Sequence, residues 1–333
     1  MARGVKQEND VIEISEAWAA SILPRRDATA HKWSVGGVVV VAGSAQFAGA
    51  AALCCLAAGR SGAGIVTAAL HRSLAPVVVG LVPDVTVVFL PDGDGVSAAR
   101  RAAEAIQERL TKSKAVVVGP GLGDDEGTEA LLGALFGVTR SRPGIGFSAG
   151  SSPEGDAAQG VVAASGLPVV IDADGLNWLA KQEHWWERLP AGQVVLTPHA
   201  GEMARLTGAD AEAIAGNPVG AARDAAAMWG QTVVLKGTTT VIAAADGAVT
   251  KIAMPLGLAT AGSGDVLSGS VGAFLAQGLS GPDAAALAAF AGSRAAARLV
   301  ARVGTLGLLA SDLPLAIAEE LAVLERTEAE RGR

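Results

Sequence analysis

In GLATAGSGDVLSG (257–269) a single carboxylate, Asp265, stands among glycines and small residues where an apolar segment begins. Gly262 and Gly264 leave backbone N–H groups uncovered, and a helix opening there adds the positive end of its dipole. With Ser263 between them, they form a candidate cradle for a phosphoryl group. A carboxylate in the first turn beside such a cradle is suited to take the proton from an attacking hydroxyl. If Asp265 merely capped the helix, the flanking glycines would have no explanation.

The other candidate groups follow short β-branched runs. AGSAQFAGAA follows the valines at 38–41, GPGLG (119–123) follows 115–118, and DADGLN (172–177) follows 169–171. TPHAGE begins at 197 and KGTTT at 236, each after a further apolar run. In an open parallel sheet, ligands bind beyond the carboxyl ends of the strands, so these polar groups converge. Each has two readings. Lys236 is either a point charge for a phosphate or a surface lysine at a hairpin. His199 is either a structural residue or a ligand contact. Asp174 either caps a helix or joins Asp172 in binding metal or substrate. GPGLG either admits a ligand to the backbone or makes a tight turn. The first βαβ unit reads GSAQFAG and lacks both G-x-G-x-x-G and its acidic partner, so a dinucleotide-dependent oxidoreductase is poorly supported.

Positioning these groups requires a regular frame. Continuously apolar runs predict parallel strands over 37–41, 64–69, 84–89, 115–119, 168–172, 193–197 and 232–236. Ala-rich helices are predicted over 48–59, 97–110, 128–135, 202–206 and 219–229. The fold class is therefore α/β: a doubly wound, mostly parallel central sheet with helices on both faces. After 232 successive strands with an Asp246-Gly247 turn predict an antiparallel edge. Helices over 262–277 and 282–300, and another from Ser311, complete the frame. The Gly- and Ser-rich stretch 140–166 reads as an exposed loop.

Composition narrows the function. Half of the 333 residues are hydrophobic and 18% are charged, enough for a large core. The net charge of −7 argues against nucleic acid, which leaves a basic footprint. Adjacent Cys54 and Cys55 read as buried small hydrophobes, and no His/Cys spacing suggests zinc. The charge-free stretch between Lys32 and Arg60 is long enough to span a bilayer, but Gly43, Ser44 and Gln46 break it into strand, turn and helix. No membrane partner and no secretory leader are expected, and the expected compartment is the cytoplasm.

The motifs, in order, resemble one family. HK at 31–32, GPGLG, DADGLN, TPHAGEMARL (197–206), KGTTT and ATAGSGDVLSG (259–269) are similar to those of the ADP-dependent NAD(P)H-hydrate dehydratases of the ribokinase-like superfamily. The resemblance runs from about Ile12 to about Leu324. It implies a single domain over 12–324 after a tail at 1–11, and the charge of 325–333 predicts a fraying C-terminal tail. An epimerase domain sometimes fused to this family is expected to be absent, since little chain precedes Ile12.

The resemblance further implies phosphorylation of the hydroxyl of the NADH and NADPH 6-hydroxy hydrates, followed by elimination of phosphate. Asp265 would be the base and would touch the hydrate, and Ala50, Gly121 and His199 would line the hydrate pocket. Lys236, Gly237, Thr238, Thr239, Thr240 and Gly264 would bind the nucleotide, ADP or ATP. Gly262, Ser263 and Gly264 would cradle the transferred group, and Mg2+ would bridge the phosphates, with its protein ligands unassigned. A homo-oligomer is implied, with a tetramer among the arrangements. The chain departs from the family pattern in having Ala48 for a Pro, Trp33 for a Gly, and MPLGLAT without the usual Asn. Two alternatives are a kinase of a small alcohol such as a vitamin precursor, which would share Asp265, and a non-catalytic nucleotide-binding module, against which Asp265 argues.

Overall fold

Val38, Val39, Val40 and Val41 are all buried, and alternate ones enter opposite cores. Val38 and Val40 meet the helices Ala48–Arg60, Ser263–Ala276 and Gly281–Val303. Val39 and Val41 meet Val96–Leu110, Glu126–Phe136 and Asp174–Leu179. A strand covered on both faces must be apolar at every position, which is why these runs do not alternate.

The structure is a computed structural model that describes residues 11–91, 95–137 and 160–331. Its strands are β1 (Val11–Glu13), β2 (Gly37–Val41), β3 (Ile65–His71), β4 (Thr86–Leu90), β5 (Ala115–Val118), β6 (Val169–Ile171), β7 (Val194–Leu196), β8 (Thr232–Leu235), β9 (Thr239–Ala243) and β10 (Val249–Ala253). All ten form one sheet in the order β1-β10-β9-β8-β7-β6-β5-β2-β3-β4. From β4 through β8 neighbours are parallel, while β9 is antiparallel to both β8 and β10. The chain winds outward from β2 through β3 to β4, then returns to β5 on the other side of β2. This places the topological switch between β2 and β5.

The helix carrying Asp265, Ser263–Ala276, lies directly on Ala48–Arg60. A Cβ on Gly269 would come within 2.1 Å of the Cys54 carbonyl oxygen, so only glycine allows this approach. Cys54 and Cys55 are buried free thiols at that contact. Gly281–Val303 is, among the described residues, the one helix long and apolar enough to cross a membrane, and 67% of its apolar window is buried within the fold.

Two expectations change. Of the stretch 140–166, Val161–Ser165 is a helix with Val162 and Ala163 buried, because these apolar residues close the core beside Phe136. Residues 138–159 lie outside the described residues. The expected tail from 325 instead continues the helix Leu313–Arg331, in which Glu328 accepts from Arg25 and Thr327 bonds Glu16. Charge alone did not end the helix, because these partners on the N-terminal segment hold it. Residues 1–10 lie outside the described residues.

Candidate active site

β5, β6 and β7 end in register, with Val118 opposite Ile171 and Ile171 opposite Leu196. The residues that follow them therefore leave the sheet side by side. Gly119 has φ +126°, and a Cβ there would lie 1.9 Å from the Asp172 carbonyl oxygen, so only glycine fits. Ala173 is held at φ 47° and ψ −115°, a conformation costing a non-glycine residue on the order of 1–3 kcal/mol. This kink separates the two carboxylates of DADGLN. Asp174 does not cap its helix. It instead accepts from the Gly123 amide at 2.8 Å, tying DADGLN to GPGLG.

Asp172 turns inward and is 2% exposed. One of its oxygens accepts from Lys236 Nζ at 2.9 Å and the other from Ser268 Oγ at 2.6 Å. Lys236 also lies 3.7 Å from Glu202 and is 20% exposed, so it is not a surface lysine. Burial pulls its ammonium toward the neutral form, but Asp172, Glu202 and Asp265 outweigh this and hold its pKa above the ordinary lysine value. The result is a fixed cation at the end of β8.

Gly262 precedes the helix Ser263–Ala276 with φ +91°. A Cβ on it would lie 2.6 Å from the tip of Leu53 and 3.0 Å from Ala310, but it is the left-handed backbone that makes the turn need glycine. No side chain caps this helix, and Asp265 is its third residue rather than its cap. At Gly264 a Cβ would sit 3.3 Å from Lys236 Nζ, which brings the helix amides and the lysine to one point. Burial, reinforced by Asp172 and Asp174 and opposed by Lys236, raises the Asp265 pKa from 3.8 to about 7. A carboxyl poised there exchanges protons readily near neutral pH.

Two cavities adjoin these groups. The first, about 400 Å³, is lined by His199, Lys236, Gly237, Thr238, Thr240, Ser263 and Gly264 above apolar walls. Thr239 does not line it. β9 begins there, and its two-residue period points Thr238 and Thr240 one way and Thr239 the other. His199 is half exposed and caps Ala200–Thr207, its Nδ1 accepting from the Gly201 and Glu202 amides. It thus serves its helix while bordering the first cavity. Ala50 and Gly121 meet at the switch point, where a Cβ on Gly121 would lie 2.8 Å from Ala50 Cβ and 2.7 Å from Phe47 Cβ. Phe47 and Gly123 border the second cavity, about 710 Å³, with Asp174, Asn177, Lys181 and Arg205. Of the sequence-predicted residues, the structure gathers Lys236, Gly237, Thr238, Thr240, Ser263, Gly264 and His199 around the first cavity. It places Ala50 and Gly121 together at the loops leading to the second.

Sequence reasoning assigned no role to Ser268, Glu202, Asn177 or Arg205. The usable signal for Ser268 was its place one turn after Gly264 on the helix that opens at the cradle. Among the described residues no three His, Cys, Asp or Glu side chains gather to hold a metal. Mg2+ commonly takes one or two carboxylates with phosphates and waters completing its shell, but Glu202 is already engaged by the His199 amide and by Lys236.

The fold is the ribokinase-like one: a doubly wound sheet whose strand ends meet a glycine-bounded helix start bearing an acidic residue. The NAD(P)H-hydrate dehydratase family model matches residues 38–319, and the chain belongs to that family. It is 35% identical over 302 residues to the bifunctional NAD(P)H-hydrate repair enzyme Nnr of Moorella thermoacetica, covering 90% of this chain and 52% of that protein. The chain thus spans about half the length of the first curated relatives it matches. It is 32% identical to the ADP-dependent (S)-NAD(P)H-hydrate dehydratase of Xanthomonas campestris, covering 84% of this chain and 86% of that one. Among solved structures, the ADP/ATP-dependent NAD(P)H-hydrate dehydratase of Bacillus subtilis, co-crystallised with ATP and Mg2+, superposes with a TM-score of 0.74. Its identity is 25%, and the match covers 95% of this chain and 99% of that one.

Proposed function

We propose that the chain dehydrates the 6-hydroxy hydrates of NADH and NADPH at the expense of a nucleotide, with ADP as the donor. The observation that carries this reading is the meeting of Lys236 and the Gly264 backbone beside Asp265, whose carboxyl is poised near pH 7. Family membership supplies the substrate.

The donor's terminal phosphate rests on the amides at 262–264, with Lys236 as its counter-charge and Gly237, Thr238 and Thr240 along the rest of the nucleotide. Asp265 takes the proton of the C6 hydroxyl as that oxygen bonds to the terminal phosphorus. The bond from phosphorus to the bridging oxygen breaks, and AMP leaves when ADP is the donor. The C6–O bond then breaks, phosphate departs with the electron pair, and loss of a proton from the neighbouring ring carbon restores the double bond. Phosphate leaves far more easily than hydroxide, which is the chemical reason for spending a nucleotide on a dehydration. Mg2+, held by the donor's phosphates and water, would neutralise charge on the transferred group.

His199, Ala50 and Gly121 are assigned to the hydrate, His199 from the border of the first cavity and the other two from the switch-point loops. We further assign the chain to the cytoplasm as a homo-oligomer, with a tetramer among the arrangements, and without nucleic-acid or membrane partners. The buried free thiols and the net charge of −7 support the compartment and the exclusion of nucleic acid.

Purified protein incubated with NADH hydrate, Mg2+ and ADP is expected to regenerate reduced-nicotinamide absorbance. No regeneration with ADP or with ATP overturns the reading. A phosphorylated vitamin-precursor alcohol as the product would favour the kinase instead.

A further inference from the structure

The second cavity brings together three sequence motifs that are distant in the chain. The Gly123 amide of GPGLG donates to Asp174 Oδ2 at 2.8 Å, and Asn177 Nδ2 of DADGLN donates to Asp174 Oδ1 at 3.3 Å. Asn177 Oδ1 in turn accepts from Arg205 Nε of TPHAGEMARL at 2.9 Å. This relay fixes one edge of the Arg205 guanidinium and leaves its terminal amino groups without a hydrogen-bond partner among the described residues.

The other cations nearby are differently placed. Lys181, in the same cavity, is bonded to Glu129 at 2.9 Å, and Lys236 is bonded to Asp172. Arg205 alone among these three has no carboxylate within ion-pair distance among the described residues. Asp174 lies in its cavity but is engaged by Gly123 and Asn177, which leaves Asp124 as the other acidic lining group. A guanidinium with one edge held and the other open matches the two-oxygen face of a phosphate.

The first cavity already supplies a lysine and helix amides for the donor's phosphates. The hydrate carries phosphates of its own, two in the bridge between its nucleosides and a third on the ribose in the NADPH form. We propose that Arg205, oriented by Asn177, anchors a phosphate of the dinucleotide hydrate in the second cavity. The inference rests on the dehydratase reading and adds to it a residue that sets affinity for the hydrate without touching the reacting atoms.

The test is steady-state kinetics of Arg205→Gln with NADH hydrate and NADPH hydrate, varying hydrate and ADP separately. The hydrate KM is expected to rise by about tenfold or more, with kcat within about threefold and the ADP KM unchanged. An equal rise for both hydrates assigns the contact to the bridging phosphates, and a rise confined to NADPH hydrate assigns it to the ribose phosphate. Asn177→Ala is expected to give a smaller rise in the same KM, and Arg205→Lys to recover part of the loss. Added salt should raise the wild-type hydrate KM and barely move that of Arg205→Gln. An unchanged hydrate KM in the folded Gln variant overturns the proposal, as does an equal loss toward hydrate and ADP, which would mark a purely structural role. If the Gln variant does not fold, a salt-independent wild-type hydrate KM overturns it. Wild-type protein inactive on both hydrates refutes the dehydratase reading instead.

Discussion

The two cavities at the strand ends differ in the residues that line them. The first has walls of Met254, Leu258, Val266, Leu267, Leu313 and Ile317, with its polar groups on the segment from Lys236, the helix start at Ser263, His199 and Ser293. The second is lined mainly by Gln46, Asp124, Asp174, Asn177, Lys181 and Arg205. Apolar walls suit the flat faces of a purine, and a few fixed polar groups at one end orient its phosphates. The second cavity suits a ligand that is charged along its length. The pKa of Asp265, the third residue of the helix that starts at the first cavity, is held up chiefly by burial, with Asp172 and Asp174 adding to it and Lys236 opposing.

This comparison breaks most sharply at Asp265. Asp265→Asn is expected to lose about 10²–10⁴ in kcat, since only the base is removed, while ADP binding by calorimetry stays near wild type. Turnover retained at a tenth of the wild-type rate would reduce Asp265 to a structural residue. Lys236→Gln should come next, with a loss of about 10²–10³ in kcat/KM for ADP. It should leave the hydrate KM largely unchanged, and a matching rise in that KM would mean that the two cavities are not separate sites.

The smallest effect concerns stability. The Asp265 pKa is raised to about 7 in the folded protein from the ordinary aspartate value of 3.8, so the unfolded chain ionises first as pH rises. The favourable contribution of the neutral acid is therefore complete below about pH 4 and is lost progressively up to about pH 7. Asp265→Asn escapes this loss. It should melt above wild type at pH 8 by at most about 2–4 kcal/mol of stability, with the gap closing toward pH 4. Denaturant melts at the two pH values check the sign.

Much of this frame was legible in the sequence because it depends on local pattern. The unbroken apolar runs at 37–41 and 115–118 are strands covered on both faces, and Asp246-Gly247 does sit in the turn between β9 and β10. Ala48 takes the place of a family proline at the first residue of its helix, where proline is favoured but not required. His31, which opens the HK motif, caps a short helix, a role in which sequence gives it no special standing. What stayed illegible depends on partners far along the chain. Nothing local says that Asp172 faces Lys236, 64 residues on, or Ser268, 96 residues on. The strain at Ala173, which parts Asp172 from Asp174, has no signature in a residue type that ordinarily avoids positive φ. Short elements such as Val161–Ser165 are set by the core they close and not by their own propensity.

The central claim is that Asp265 is the base that serves a hydroxyl held between the two cavities. The pH dependence of kcat/KM for hydrate dehydration tests it most directly. A base must be ionised, so the rate should climb with pH to a single limb near 7 and then level off, and this limb should be missing from the residual activity of Asp265→Asn. A wild-type profile flat from about pH 5.5 to 8, or a limb that survives in the Asn variant, would contradict it.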